Sequence, residues 1–86
     1  MADYTLRFAA SAAKEFRLLP LDTKSRIAVA IEELRGNPGP FGVRKLKGHD
    51  RLYRVRVGQY RVVYEIDDQA QLLWITEVRH RRDAYR

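Results

Sequence analysis

Polar and apolar positions change period twice along this chain. Tyr4, Leu6 and Phe8 alternate with Asp3, Thr5 and Arg7, the period of two that predicts a half-buried strand. Over residues 10–19 the spacing becomes helical, with Ala12, Phe16 and Leu19 on one stripe. Pro20 ends that helix, because it has no N–H to carry the ladder on. Asp22 is expected as the N-cap of a second helix, its carboxylate accepting from orphan backbone N–H groups. In that helix Ile27, Ile31 and Leu34 fall at i, i+4 and i+7 and form an apolar face. Gly36 followed by Pro38 predicts its end. The short link around Leu19–Asp22 predicts an antiparallel helical hairpin.

Residues 36–48, GNPGPFGVRKLKG, then read as a loop, either a plain linker or a basic arm that meets phosphate. Beyond it the period returns to two, and strands are expected near 50–57, 60–66 and 71–78. Gly58-Gln59 suits a two-residue type II′ turn, since glycine supplies the positive φ at its first position. Asp67-Asp68-Gln69-Ala70 makes the second turn. The predicted fold class is α+β in the order β-α-α-β-β-β: an N-terminal strand, a helical hairpin and a three-stranded meander in one small antiparallel sheet, followed by a short tail. Residues 1–86 make one domain without repeats.

The Gly58-Gln59 turn dictates a register. Val57 faces Tyr60, Arg56 faces Arg61, Val55 faces Val62 and Arg54 faces Val63. Tyr53, Val55, Val57, Tyr60, Val62 and Tyr64 then share an apolar face that packs on the helices, while Arg54, Arg56 and Arg61 share the other. Like charges directly opposite one another on a sheet destabilise it by up to ~1 kcal/mol. A local rule broken without compensation marks a functional site, and the missing compensation here is an anion. Arginine forks grip phosphate oxygens through parallel N–H donors, so the hairpin reads as a phosphate clamp. The competing reading is three arginines in water, paired with Glu65 or Glu77.

Charge strengthens this picture. Lys and Arg number 17 against 11 Asp and Glu, a formal +6, in 86 residues. Arg44, Lys45, Lys47, Arg51, Arg54, Arg56 and Arg61 crowd one segment against a single acid, Asp50, an electrostatic footprint for a polyanion or an acidic protein. Arg79, His80, Arg81, Arg82 and Tyr85 follow the last strand, in VRHRRDAYR. His80 is the near-neutral proton carrier expected beside the arginines, or else an exposed histidine of a charged tail. Tyr85 could stack on a base or pin the tail; His49 has no assigned role. No cysteine is present, which removes disulfides and thiolate metal ligands and fits a reducing cytoplasm. Two histidines are too few for a zinc site. No apolar run reaches the ~18 residues of a membrane span, and the N-terminus does not read as a signal peptide.

Four segments in order, KEFRLLP, NPGPFGVRKLKG, YRVRVGQYRVVYEI and VRHRRDAYR, resemble the RelE/ParE toxin superfamily across nearly the whole chain. Arg54, Arg56 and Arg61 combined with Arg81 and Tyr85 look more like its RelE branch, whose members are ribosome-dependent endoribonucleases that cut mRNA in the A site. The resemblance implies roles by position. Arg54 and Arg56 match strand residues that contact RNA and assist catalysis. Arg61 matches the arginine that binds the scissile phosphate, Arg81 one that stabilises the transition state, and Tyr85 a tyrosine that stacks on or orients the mRNA. Arg44, Lys45, Lys47, Arg79 and Arg82 would add RNA contacts. One departure matters: some members carry lysines where Arg54 and Arg56 stand, and a lysine can act as general base whereas an arginine cannot lose its proton. The resemblance also implies a RelB-like antitoxin with an acidic amphipathic segment, and neither metal nor cofactor. The alternatives are a ParE-like inhibitor of DNA gyrase without nuclease activity, a plain RNA-binding module, and an inactive member of the superfamily.

Overall fold

In the computed structural model the described residues are 3–39, 44–45 and 52–84, with the backbone alone at 44–45 and 83–84. The chain runs β1 (Thr5–Phe8), α1 (Ala10–Arg17), α2 (Leu21–Gly36), β2 (Arg44–Lys45), β3 (Leu52–Val57), β4 (Tyr60–Asp67), β5 (Leu72–His80) and α3 (Arg81–Ala84). The strands form one sheet in the order β1-β5-β4-β3-β2.

The meander follows its expected course. β3 pairs antiparallel with β4, and Val57↔Tyr60, Arg56↔Arg61, Val55↔Val62 and Arg54↔Val63 are all in register. Gly58 has φ +61 and Gln59 does not share that left-handed geometry, as a type II′ turn requires. The sheet is nevertheless mixed, because β1 lies parallel to β5 where an all-antiparallel sheet was expected. Two consecutive helices intervene between β1 and the meander, and a crossover of that length allows a strand to rejoin the sheet in parallel. The expected loop at 36–48 also contributes a two-residue strand, β2, antiparallel to β3 with Arg44 opposite Arg54.

The helix boundaries shift slightly. α1 stops at Arg17, and α2 begins at Leu21 with Pro20 as its N-cap residue. Asp22 therefore lies in the first turn and makes no capping hydrogen bond, contrary to expectation. Its charge still favours the positive end of the helix dipole. Pro20 suits its position, since it lacks only an N–H that would find no intrahelical partner there.

Both helices cover one face of the sheet. Ala12, Ile27, Ile31 and Leu34 pack with Val62, Tyr64, Leu73, Ile75 and Val78 in a single buried cluster. Tyr53, Val55, Val57 and Tyr60 lie against it, so the predicted apolar face of the hairpin is the core face. Each fully buried aliphatic side chain contributes roughly 1.5–3 kcal/mol. Tyr64 is buried and donates its hydroxyl to the Pro38 carbonyl at 2.6 Å, tying β4 to the end of α2.

The decisive irregularity is in β5. Tyr64 pairs with Ile75 but its neighbour Val63 pairs with Glu77, so Thr76 is an extra residue, a β-bulge. Since side chains alternate between faces, one inserted residue exchanges the faces of everything after it. Val78 enters the core, and Glu77 and Arg79 turn to the face away from the helices.

Candidate functional site

The face of β3, β4 and β5 turned away from the helices carries the candidate site. Three arginines stand side by side across the strands, Arg56 opposite Arg61 and Arg61 opposite Arg79. Arg54 lies two residues along β3, opposite Val63 and one strand from Glu77. Arg56 is exposed and Arg54 half-buried. Neither has a carboxylate within ion-pair distance among the described residues.

Arg61 differs, and this corrects the expectation of an uncompensated like-charge contact. Its Nε and Nη2 donate to Glu77 Oε2 at 3.2 and 3.1 Å. Glu77 Oε1 also lies 3.7 Å from Arg79 Nη1. Arg79 Nε in turn donates to Glu15 Oε2 of α1 at 2.7 Å, and Glu15 Oε1 accepts the Val78 backbone N–H at 3.1 Å. Charges therefore alternate through Arg61, Glu77, Arg79 and Glu15, and the repulsion across the hairpin is answered within the protein. The side chains of Arg61 and Glu77 are 22% and 21% exposed, so the pair is partly shielded from water but still reachable. Arg79 belongs to β5 itself, whereas the sequence suggested a tail beginning after Val78.

His80 is not brought to the arginine row. It pairs in register with Tyr60, a core-side residue, and the two rings meet edge to face at 5.2 Å and 81°. The Thr76 bulge explains the change: uninterrupted alternation from the buried Ile75 would have put His80 on the face turned away from the helices. An imidazole on the helix side cannot act as acid or base among Arg54, Arg56 and Arg61. Its Nδ1 accepts the Arg82 backbone N–H at 3.1 Å. Arg81 donates its own backbone N–H to the Gln59 carbonyl at 2.7 Å, which anchors α3 at the hairpin turn. Arg81 and Arg82 are exposed at that end of the sheet. Lys47 and Tyr85 lie outside the described residues, as do the side chains of Arg44 and Lys45.

Two tyrosines hold their protons unusually well. Burial pushes the Tyr64 hydroxyl far above its ordinary value of 10.0, with the nearby Tyr53 adding to the effect. Tyr4 is raised by its hydrogen bond to Asp68, which joins the start of β1 to the β4–β5 turn. Among the described residues no group of three or more acidic, histidine or cysteine side chains could hold a metal, and no helix is long and apolar enough to cross a membrane.

An arginine row on one face of a sheet with two helices on the other defines a class of small basic α+β proteins. Comparison with known proteins gives the family: residues 2–85 match the ParE toxin of type II toxin–antitoxin systems, and the chain belongs to that family. Within the RelE/ParE superfamily it is RelE-like. It is similar to toxin RelG of Mycobacterium tuberculosis, 35% identical over a 91-residue alignment covering 96% of this chain and 97% of the relative. Toxin RelE3 of Methanocaldococcus jannaschii is 30% identical over 82 residues, 91% of each chain. Among solved structures, the archaeal RelE–RelB complex from Pyrococcus horikoshii superposes with a TM-score of 0.80 at 28% identity, covering 92% of this chain and 96% of that one.

Proposed function

We propose that this toxin is a ribosome-dependent endoribonuclease that cuts mRNA in the A site and so blocks translation. The observation that carries this reading is the row Arg56–Arg61–Arg79 in register on the face turned away from the helices, with Arg54 and Arg81 flanking it. RNA brings its own nucleophile, the 2′-hydroxyl. Its attack on the adjacent phosphorus forms a phosphorane with added negative charge, and the 5′-oxygen leaves. Cations fixed in advance around that charge lower the barrier, and holding the 2′-oxygen in line with the leaving oxygen lowers it further. The products are a 2′,3′-cyclic phosphate and a 5′-hydroxyl. Arg61 is the phosphate ligand in this scheme, with Arg54 and Arg56 contacting RNA and Arg81 and Tyr85 completing the site from the tail. The arginines act as cations alone, since none of them releases a proton near neutrality. Ordering of the substrate, and proton transfer with it, falls to the ribosome. The scheme requires no cofactor, and it locates the protein in the cytoplasm, where ribosomes are.

The partner that restrains the toxin is a RelB-like antitoxin with an acidic amphipathic segment. Support comes from the formal +6 charge and from structural relatives that are RelB–RelE complexes. The decisive experiment adds the purified toxin to a translation reaction and maps mRNA ends by primer extension. Discrete cuts at A-site codons are expected. Inhibition of gyrase supercoiling without cuts would instead make the chain a ParE-like inhibitor, and RNA binding without either effect a plain binding module.

A further inference from the structure

Behind the hairpin turn, on the helix side, is a cavity of about 230 Å3 that the scheme above does not use. Thr23 and Arg26 of α2, Gly58 and Gln59 of the turn, and Tyr60 and His80 line it. Among the described residues no carboxylate lines it. Arg26 is exposed and has no hydrogen-bond or ion-pair partner among the described residues. Its guanidinium lies over the turn: a Cβ on Gly58 would stand 3.4 Å from Arg26 Nη2. Glycine at that position supplies the φ +61 that the turn requires.

His80 adds a second donor. Because Nδ1 accepts the Arg82 N–H, the neutral ring carries its proton on Nε2. The edge-to-face contact with Tyr60 restrains the ring at the cavity wall. Thr23 and Gln59, each with a neutral side chain able to donate, stand in the same wall, with Val57. An arginine fork, an imidazole N–H and two neutral polar side chains in the wall, with no carboxylate among the described lining residues, match one ligand chemistry, a tetrahedral oxyanion. We propose that this cavity is a phosphate-binding site, separate from the arginine row on the opposite face. The phosphate can belong to an RNA strand passing round the hairpin end or to a small phosphorylated molecule. The proposal is independent of mRNA cleavage.

The test is an NMR titration of the full chain with inorganic phosphate at constant ionic strength, with chloride as the reference, repeated with a short single-stranded RNA. Phosphate is expected to shift the Gly58 and Gln59 amides and the His80 ring along one saturable curve. Arg26→Ala should weaken that binding about tenfold or more, as loss of a charge-assisted contact does. His80→Phe keeps an aromatic ring against Tyr60 and should weaken it less. If RNA moves the same signals, and Arg26→Ala lowers the salt dependence of RNA binding by about one phosphate contact, the source is nucleic acid. If inorganic phosphate saturates the site and RNA leaves it untouched, the source is a small phosphorylated molecule. Shifts that do not saturate, or that survive unchanged in folded Arg26→Ala, would overturn the proposal.

Discussion

Replacing Arg61 with Ala is expected to lower two quantities at once. Cleavage should fall roughly two to three decades, the usual cost of one electrostatic transition-state contact. Stability should also fall, by about 1 kcal/mol or less, because Glu77 loses its closest cation in a partly solvated pair. Parallel thermal melts and A-site cleavage assays check both, and near wild-type cutting by the variant would remove Arg61 from the site. Tyr64 gives a pH signature. Its hydroxyl is held above the ordinary value of 10.0 in the fold, so the folded state keeps its proton more tightly than the unfolded state. That stability is complete below pH 10 and drains away as pH rises further, because the unfolded tyrosine ionises first. Urea unfolding from pH 9 upward should show a downward slope that Tyr64→Phe flattens. The Phe variant should cost about 1 kcal/mol at neutral pH through the lost hydrogen bond to Pro38.

At the scale of elements, α1 does more than bury Ala12. β1 pairs with β5 only as far as Phe8↔Ile75, and Glu15 takes over further along that edge by capping the Val78 N–H. Glu15→Ala should therefore destabilise the protein by roughly 1–3 kcal/mol, the cost of an orphaned polar group, readable in urea melts. Glu15→Gln, which can still accept from Val78, should recover part of the loss. Truncation after His80 should leave a folded domain, since β5 is intact, and abolish cleavage by removing Arg81 and Tyr85; circular dichroism and the cleavage assay separate the two. The hairpin was legible in the sequence because a two-residue turn and strict alternation specify one register from local information alone. Thr76 carried no such signal. A bulge depends on how β4 and β5 settle against the helices, and it sent Glu77 toward the arginines and His80 away from them. Glu15 and the parallel pairing of β1 were hidden for the same reason: each depends on a neighbour some 60 or more residues away.

For the molecule as a whole, the formal +6 and the arginine row predict fast, salt-sensitive association with an acidic antitoxin segment. Stopped-flow mixing at increasing salt should show a falling on-rate with little change in off-rate. The parallel contact between β1 and β5 has another consequence, one of timing. Its registered pairs join the first strand of the chain to the last, from Thr5↔Leu72 to Phe8↔Ile75. Such distant closure slows folding, and during synthesis it has to wait for the C-terminal strand to emerge. Arg79 lies on β5 and Arg81 directly follows it, so the arginine row is not assembled until that strand has been made and has paired with β4. If the toxin acts as proposed, its poisonous surface thus comes into being only when the fold closes, and an antitoxin already present can meet it at that moment.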